Sequence, residues 1–272
     1  MYGARPHIVV RQLNEGRRDR PTLVFGPALG LSVRSLWMPV VAVLGDRCTA
    51  VGWDLPGHGD SPVADGSFSV DDLVAAVRKG VADLLLADPE GPPVHYVGSA
   101  LGALVGLRWV AGDDRLDSVV VTSVGSDAGA ADWLGRAGEV RRTGMRGVCR
   151  VAAEHWFGAA YRASRPDRTH AFLSELDAVD PGSYAWCCEV LASARTYDAR
   201  PARDVAVTGI WGELDRRTPP RSAGVLGERW PGLVAHAVPG AAHLVPVERP
   251  GRVAHIVAAA CLSSMDTSPS PA

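Results

Sequence analysis

The sequence predicts an α/β protein: a mostly parallel central sheet with helices on both faces and a helical lid inserted late in the chain. Three observations carry this. Short, wholly apolar runs alternate with amphipathic helical stretches, the pattern of strands buried on both faces and joined by helical crossovers. From about Asp127 to Arg200 the alternation stops and helical segments follow one another. It then resumes and continues to Leu262. The expected organisation is a core of residues 1–126 and 201–262, a lid over 127–200, and a Ser/Pro-rich disordered tail over 263–272.

The elements follow in order. His7 to Leu13 reads as a strand, Asn14 to Arg20 as a polar turn, and Thr22 to Phe25 as a second strand leading into Gly26-Pro27-Ala28-Leu29-Gly30-Leu31-Ser32. A helix is expected over Leu36 to Leu44, then a strand over Ala50 to Trp53, closed by the turn residues Asp54 to Ser61. Ser69 can cap a helix whose apolar positions Leu73, Val77, Val81, Leu84 and Leu85 recur at helical spacing. A strand ending near Gly98 runs straight into a Gly/Ala/Leu-rich helix, and Ser118 to Ser123 forms the next strand. In the lid, helices are expected over Trp133–Val140, Gly147–Phe157, Arg168–Leu176 and Tyr184–Ala194. Strands at Val205–Trp211 and Leu233–Val238 follow, with helices near Arg221–Glu228 and over Arg252–Leu262.

Composition narrows the function classes. At 272 residues, one core domain with an insertion fits the length, and 47% hydrophobic with 21% charged residues is ordinary for a soluble globular chain. A net charge of −2 gives no basic field for nucleic acid or an anionic membrane. Lys79 is the only lysine, so nearly all positive charge is arginine. The five cysteines are scattered and odd in number, with no spacing that suggests zinc, and Cys187-Cys188 reads as buried helix surface. The first residues lack the apolar core of a signal peptide, and no apolar run is long enough to span a bilayer. A reducing cytoplasm is the expected compartment, and no metal or organic cofactor is implied.

The chemistry centres on Gly98-Ser99-Ala100-Leu101-Gly102. This is the outline of the G-x-S-x-G elbow, which holds a serine on a strained strand-to-helix turn. Its glycines leave room beside the nucleophile, and Gly102 and Gly106 let the helix pack close to the strand. The nucleophile position, however, is Ala100, and Ser99 stands one residue early, where its side chain points elsewhere. Two stretches follow in chain order: Gly212-Glu213-Leu214-Asp215, at a strand's end and ahead of Thr218-Pro219-Pro220, and Gly240-Ala241-Ala242-His243-Leu244, between the last strand and last helix. Nucleophile, acid and histidine in this order suit acyl transfer. His243 would move the proton and Asp215 would fix its tautomer. The expected oxyanion donors are the backbone N–H groups of Leu29 and Leu101. His58 lies in a glycine-rich turn and reads as structural.

Across nearly its whole length the sequence resembles the α/β hydrolases, and more narrowly the 3-oxoadipate enol-lactone hydrolases of aromatic catabolism. The resemblance rests on Ala28-Leu29-Gly30 with Trp37, on Asp54-Leu55-Pro56-Gly57-His58-Gly59-Asp60-Ser61, on the elbow, and on the Asp215 and His243 stretches. In the lid it rests on Trp133, Arg136, Val140-Arg141, Gly144 and Trp156-Phe157, and on Asp180-Pro181-Gly182-Ser183-Tyr184. It implies a serine-type hydrolase of a small lactone or ester. The chain departs from the pattern at Ala100 and at His155, where an arginine is expected.

Two readings of Ala100 stand. In one, the chain is a Ser-to-Ala form of a triad hydrolase and has little hydrolytic activity. In the other, Ala100 is native, and the protein binds a small molecule or does lyase- or cyclase-type acid–base chemistry with His243. Trp133, Trp156 and Trp186 are candidate apolar walls for a substrate. Arg136, Arg141 and Arg142 are candidates to meet a substrate carboxylate through the planar guanidinium fork.

Overall fold

The computed structural model describes residues 5–17, 19–85, 91–112, 115–125, 128–193 and 204–262. The tail over 263–272 and both ends of the proposed lid fall outside the described residues. Among the described residues, seven strands form one sheet: β1 (Val10–Gln12), β2 (Thr22–Gly26), β3 (Thr49–Trp53), β4 (Val94–Ser99), β5 (Ser118–Thr122), β6 (Ala206–Gly212) and β7 (Val234–Val238). The spatial order is β1-β3-β2-β4-β5-β6-β7, with β1 antiparallel to β3 and every other pair parallel. The β2, β3 and β5 residues are all buried, as their unbroken apolar runs require. The first strand is shorter than its His7–Leu13 run because only Val10 to Gln12 find ladder partners on β3.

Between strands lie α1 (Val33–Leu44), α2 (Val70–Leu85) and α3 (Leu101–Gly112). The N-terminus of α1 is capped by Ser32, whose side chain accepts the Ser35 N–H. Ahead of α2, the Ser69 side chain accepts the Asp72 N–H while Asp72 accepts from Ser69, a reciprocal capping box. Leu73, Val77 and Val81 are buried on α2, together with Val74, but Leu84 faces solvent, so the apolar stripe is shorter than its spacing implied.

After β5, among the described residues, come five helices with no strand between them: α4 (Ala130–Thr143), α5 (Arg146–Trp156), α6 (Ala159–Ser164), α7 (Pro166–Asp177) and α8 (Pro181–Ser193). The alternation then resumes with β6, α9 (Ser222–Arg229), β7, the short α10 (Val245–Glu248) and α11 (Pro250–Cys261). Two of these, α6 and α10, are too short to show a periodic signal in the sequence.

Around β4 the packing is close enough to require glycine. A Cβ on Gly102 would lie 2.5 Å from the Gly26 carbonyl carbon, and one on Gly98 would lie 2.5 Å from the Gly102 carbonyl oxygen. Both obstacles are backbone, so neither can rotate away. Gly102→Ala is therefore expected to lose about 3 kcal/mol of stability in urea unfolding. Gly135→Ala, inside α4 where a Cβ meets nothing within 4 Å, is expected to gain up to about 1 kcal/mol.

The turn after β3 is organised by buried polar groups. Asp54 accepts the Val33 N–H at 2.7 Å and the Asp60 N–H at 3.1 Å, while the Ser61 hydroxyl donates to the Asp54 carbonyl at 2.8 Å. His58 is buried in this turn, with Nδ1 2.9 Å from the Pro56 carbonyl and its ring stacked on Tyr184 at 6.2 Å. Burial pushes its pKa down to about 4 from an ordinary 6.5. The unfolded chain takes a proton on this ring near pH 6.5, whereas the folded chain resists it down to about pH 4. The contribution is therefore complete above pH 6.5 and is lost as pH falls toward 4, about 3 kcal/mol in all. Urea unfolding at neutral and acid pH should show this loss, and His58→Gln should remove it.

Candidate active site

The site lies beyond the carboxyl ends of β2, β4, β5 and β6, beside the point where the strand order reverses. Because β4 ends at Ser99 and α3 begins at Leu101, the whole turn is Ala100. Its φ of 48° is in the left-handed region, which costs a residue with a Cβ about 1–2 kcal/mol. Surrounding backbone bonds hold it there. The Ala100 N–H donates to the Thr122 carbonyl at 3.0 Å, the Leu104 N–H donates to the Ala100 carbonyl at 3.1 Å, and the Gly102 N–H donates to Pro27 at 2.9 Å.

Ala100, Leu29 and His243 line one cavity of about 270 Å³. Ser99 does not line it. This residue pairs with Thr122 in the sheet, is fully buried, and its hydroxyl has no partner among the described residues.

Asp215 sits in the turn that follows β6. Its Oδ1 accepts the Arg217 N–H at 2.8 Å and the Thr218 N–H at 3.1 Å, and its Oδ2 accepts the Thr218 hydroxyl. The Asp-x-x-Thr spacing produces this self-closing turn. Oδ2 also lies 2.8 Å from His243 Nδ1. Burial alone would raise the Asp215 pKa, but His243 and Thr218 outweigh it and hold the carboxyl below its ordinary value. With Nδ1 turned to the carboxylate, Nε2 is left for the cavity.

The histidine's loop is fixed from three sides. The Ser123 hydroxyl donates to the His243 carbonyl at 2.6 Å, and the Leu244 N–H donates to the Trp156 carbonyl at 2.9 Å. Buried Glu248 accepts the Ala242 N–H at 2.8 Å and the Gly158 N–H at 3.1 Å. The His243 loop is thereby tied to the end of α5.

Leu101 is the first residue of α3, so its N–H has no acceptor within the helix. The Leu29 N–H has no backbone acceptor among the described residues. Both belong to backbone that borders Ala100.

Of the helical residues singled out in the sequence, Trp133 and Arg136 on α4 and Trp156 on α5 line the cavity. Arg141 and Trp186 do not. They meet each other instead, with the Arg141 guanidinium 4.3 Å from the Trp186 ring centre and ion-paired to Glu189. The reason is helical rotation: Arg141 lies about 140° around α4 from Arg136, and Trp186 about 200° around α8 from the cavity-lining Tyr184. Arg142 is likewise outside, donating to the Gly138 carbonyl at 3.1 Å on an exposed face.

The structure adds Ser123, His155, Tyr184, Arg217 and Thr218 to the cavity wall. The position of His155 is where the sequence departs from the enol-lactone hydrolase pattern, a signal that a wall residue had changed. Burial, then Arg217 and Arg136, push its pKa down. For Thr218 the Asp-x-x-Thr spacing was the available signal.

All five cysteines are unpaired thiols, and Cys187 and Cys188 are buried. Among the described residues no cluster of three or more His, Cys, Asp or Glu side chains is placed to hold a metal ion. No helix among them is long and apolar enough to cross a membrane.

The chain is similar to known proteins across most of its length. The chain is 30% identical over 253 residues to 3-oxoadipate enol-lactonase 2 of Acinetobacter baylyi, covering 90% of each chain. It is also 25% identical over 207 residues to 3-oxoadipate enol-lactonase 1 of the same organism, covering 75% of this chain and 74% of that one. The structure of the enol-lactonase from Burkholderia xenovorans superposes with a TM-score of 0.83 at 24% identity, over 93% of this chain and 95% of that one. A thermophilic esterase from Thermogutta terrifontis superposes with a TM-score of 0.80 at 19% identity, over 92% and 91%. The Alpha/beta hydrolase family matches residues 23–256. With that match spanning most of the fold and the site, the chain belongs to the alpha/beta hydrolase family.

Proposed function

We propose that the cavity is built to bind a small lactone or carboxylic ester with its carbonyl against position 100, and that Ala100 leaves the chain nearly inactive as a hydrolase. The single observation that carries this is the buried Asp215–His243 pair opposite a left-handed turn that carries no hydroxyl. The lactone side of the reading is supported by the enol-lactonases among the relatives. In this reading helices α4 to α8 are the lid that shapes the pocket.

The chemistry follows once a serine stands in the turn. His243 Nε2 takes the hydroxyl proton as the serine oxygen attacks the carbonyl carbon, and negative charge grows on the carbonyl oxygen. The Leu29 and Leu101 N–H groups meet that charge, aided by the positive end of α3. Collapse expels the alcohol or enol oxygen, which receives the proton from His243. Water then repeats the sequence on the acyl-enzyme. With Ala100 in place, no acyl bond can form at this position.

A second reading has its own observation. Asp215 and Thr218 keep a complete set of bonds around His243 although no serine needs it. Such a base can move a proton on a bound substrate without covalent catalysis. It predicts turnover by the chain as it stands, lost in His243→Ala. Assaying a panel of activated esters and enol-lactones with the chain and with Ala100→Ser separates the two. Hydrolysis by Ala100→Ser alone supports the first, and conversion by the unsubstituted chain supports the second.

A further inference from the structure

The loop between β2 and α1 carries Leu29, and a side chain from α7 holds the end of that loop. Glu175 on α7 is half-buried, and its Oε1 accepts the Ser32 N–H at 2.5 Å and the Ser35 hydroxyl at 3.0 Å. The next amide, that of Val33, donates to Asp54 at 2.7 Å. Two carboxylates therefore hold adjacent N–H groups at the start of α1, one from the turn after β3 and one from α7. Among the described residues Glu175 has no ion-pair partner, so its charge is directed at this backbone.

The neighbour of Glu175 presses on the same loop. Gly30 has a φ of 95°, and a Cβ there would lie 2.6 Å from Leu176 Cδ1. At its other end the loop is tied to the elbow, where the Gly102 N–H donates to the Pro27 carbonyl at 2.9 Å. Inside it, the Leu31 N–H reaches the Ala28 carbonyl at 3.3 Å, longer than an ordinary amide bond. Leu29 thus stands between an anchor on the elbow and an anchor on α7.

We propose that Glu175 is a positioning residue: from the lid it sets the loop that aims the Leu29 N–H at the carbonyl oxygen. The proposal rests on the reading of the cavity as an acyl-transfer site. It makes oxyanion stabilisation depend on a lid side chain that does not itself line the cavity. A carboxylate accepting an amide N–H makes a charge-assisted bond, and a donor displaced by about 1 Å can cost about 10²-fold in rate.

The test uses the Ala100→Ser protein with 4-nitrophenyl acetate as substrate. Glu175→Leu is expected to lower kcat about 10- to 100-fold and leave KM within about 3-fold, because the donor meets charge that exists only in the transition state. Inhibition by 1,1,1-trifluoropentan-2-one, which forms an oxyanion on the serine, should weaken by a similar factor. Glu175→Gln keeps an oxygen for the Ser32 N–H and should recover most of both. Hydrogen exchange on the unsubstituted chain reads the loop without catalysis. There the Ser32 amide should exchange about 10-fold faster or more in Glu175→Leu, but not in Glu175→Gln. Glu175→Ala replaces the leucine variant if that protein does not fold.

An unchanged kcat in Glu175→Leu, an equal loss in Glu175→Gln, or unaltered exchange at Ser32 overturns the positioning role. Hydrolysis by Ala100→Ser would leave the hydrolase reading standing in each of those cases. If Ala100→Ser hydrolyses nothing, the hydrolase reading falls, and the exchange rates alone decide whether Glu175 sets the loop.

Discussion

Ala100→Ser is expected to raise the turnover of small activated esters or lactones by about 10⁵- to 10⁶-fold. That is the scale on which a triad loses activity when its serine is removed. The expectation is this large because the residues proposed to act with the serine already have the geometry it would need. The turn already holds φ 48°, so a serine there needs no backbone change. His243 is already oriented by Asp215 at 2.8 Å and fixed through its carbonyl by Ser123 at 2.6 Å. The added hydroxyl enters a cavity rather than a packed core, because the Ala100 side chain is part of the cavity lining. Steady-state assays of the two proteins side by side provide the measurement. An increase of less than about 10-fold would mean that some other part of the machinery is missing.

The second large effect concerns the pair behind the nucleophile. In the Ala100→Ser background, His243→Ala is expected to lower kcat by about 10⁶-fold and Asp215→Asn by about 10⁴-fold. For Asp215→Asn the cause is orientation and charge. An amide nitrogen facing Nδ1 would favour the wrong tautomer, and the imidazolium formed during attack would lose its counter-charge. The carboxyl is held below its ordinary pKa, so it is ionised throughout the neutral range and supplies that charge. Combining the two substitutions should cost little more than His243→Ala alone, since they act as one unit. A full multiplication of the two losses would show that they act independently.

Much of this site is legible in the amino-acid sequence. Asp215 and His243 stand out because each ends a strand or follows one, in the chain order the acid and the base require. The elbow is legible because close backbone packing demands small residues, and Gly98 and Gly102 meet backbone at that close range. Faces of helices are harder. Trp133, Arg136 and Trp156 line the cavity, but Arg141 and Trp186 are of the same residue types and turned away by helical rotation. Composition names a residue's chemistry and not its azimuth; only the packing of α4 against α8 sets that.

Tyr184 on α8 apart, the parts of the site that the sequence does not announce are residues outside the helices and strands. Arg217 lies in a turn, and Ser123, expected as the last residue of a strand, lies one residue beyond the end of β5, so their roles depend on which turns the sheet brings side by side. Ser123 reaches the His243 carbonyl across 120 residues of sequence. Its φ of 52° is left-handed like that of Ala100, but no local pattern signals it. The short helices α6 and α10 are invisible for the related reason that one turn has no period. Their ends nonetheless matter, because Glu248 at the end of α10 ties the histidine loop, through the Ala242 N–H, to the Gly158 N–H beyond α5.

The most direct test of the central claim is covalent. The chain and Ala100→Ser would each be treated with a fluorophosphonate probe, digested, and read by mass spectrometry for the modified peptide. The expected result is a stoichiometric adduct at position 100 in Ala100→Ser and none in the unsubstituted chain. Absence of an adduct in Ala100→Ser, or modification of Ser99 or Ser123 instead, would contradict the claim that this turn is the seat of a serine nucleophile.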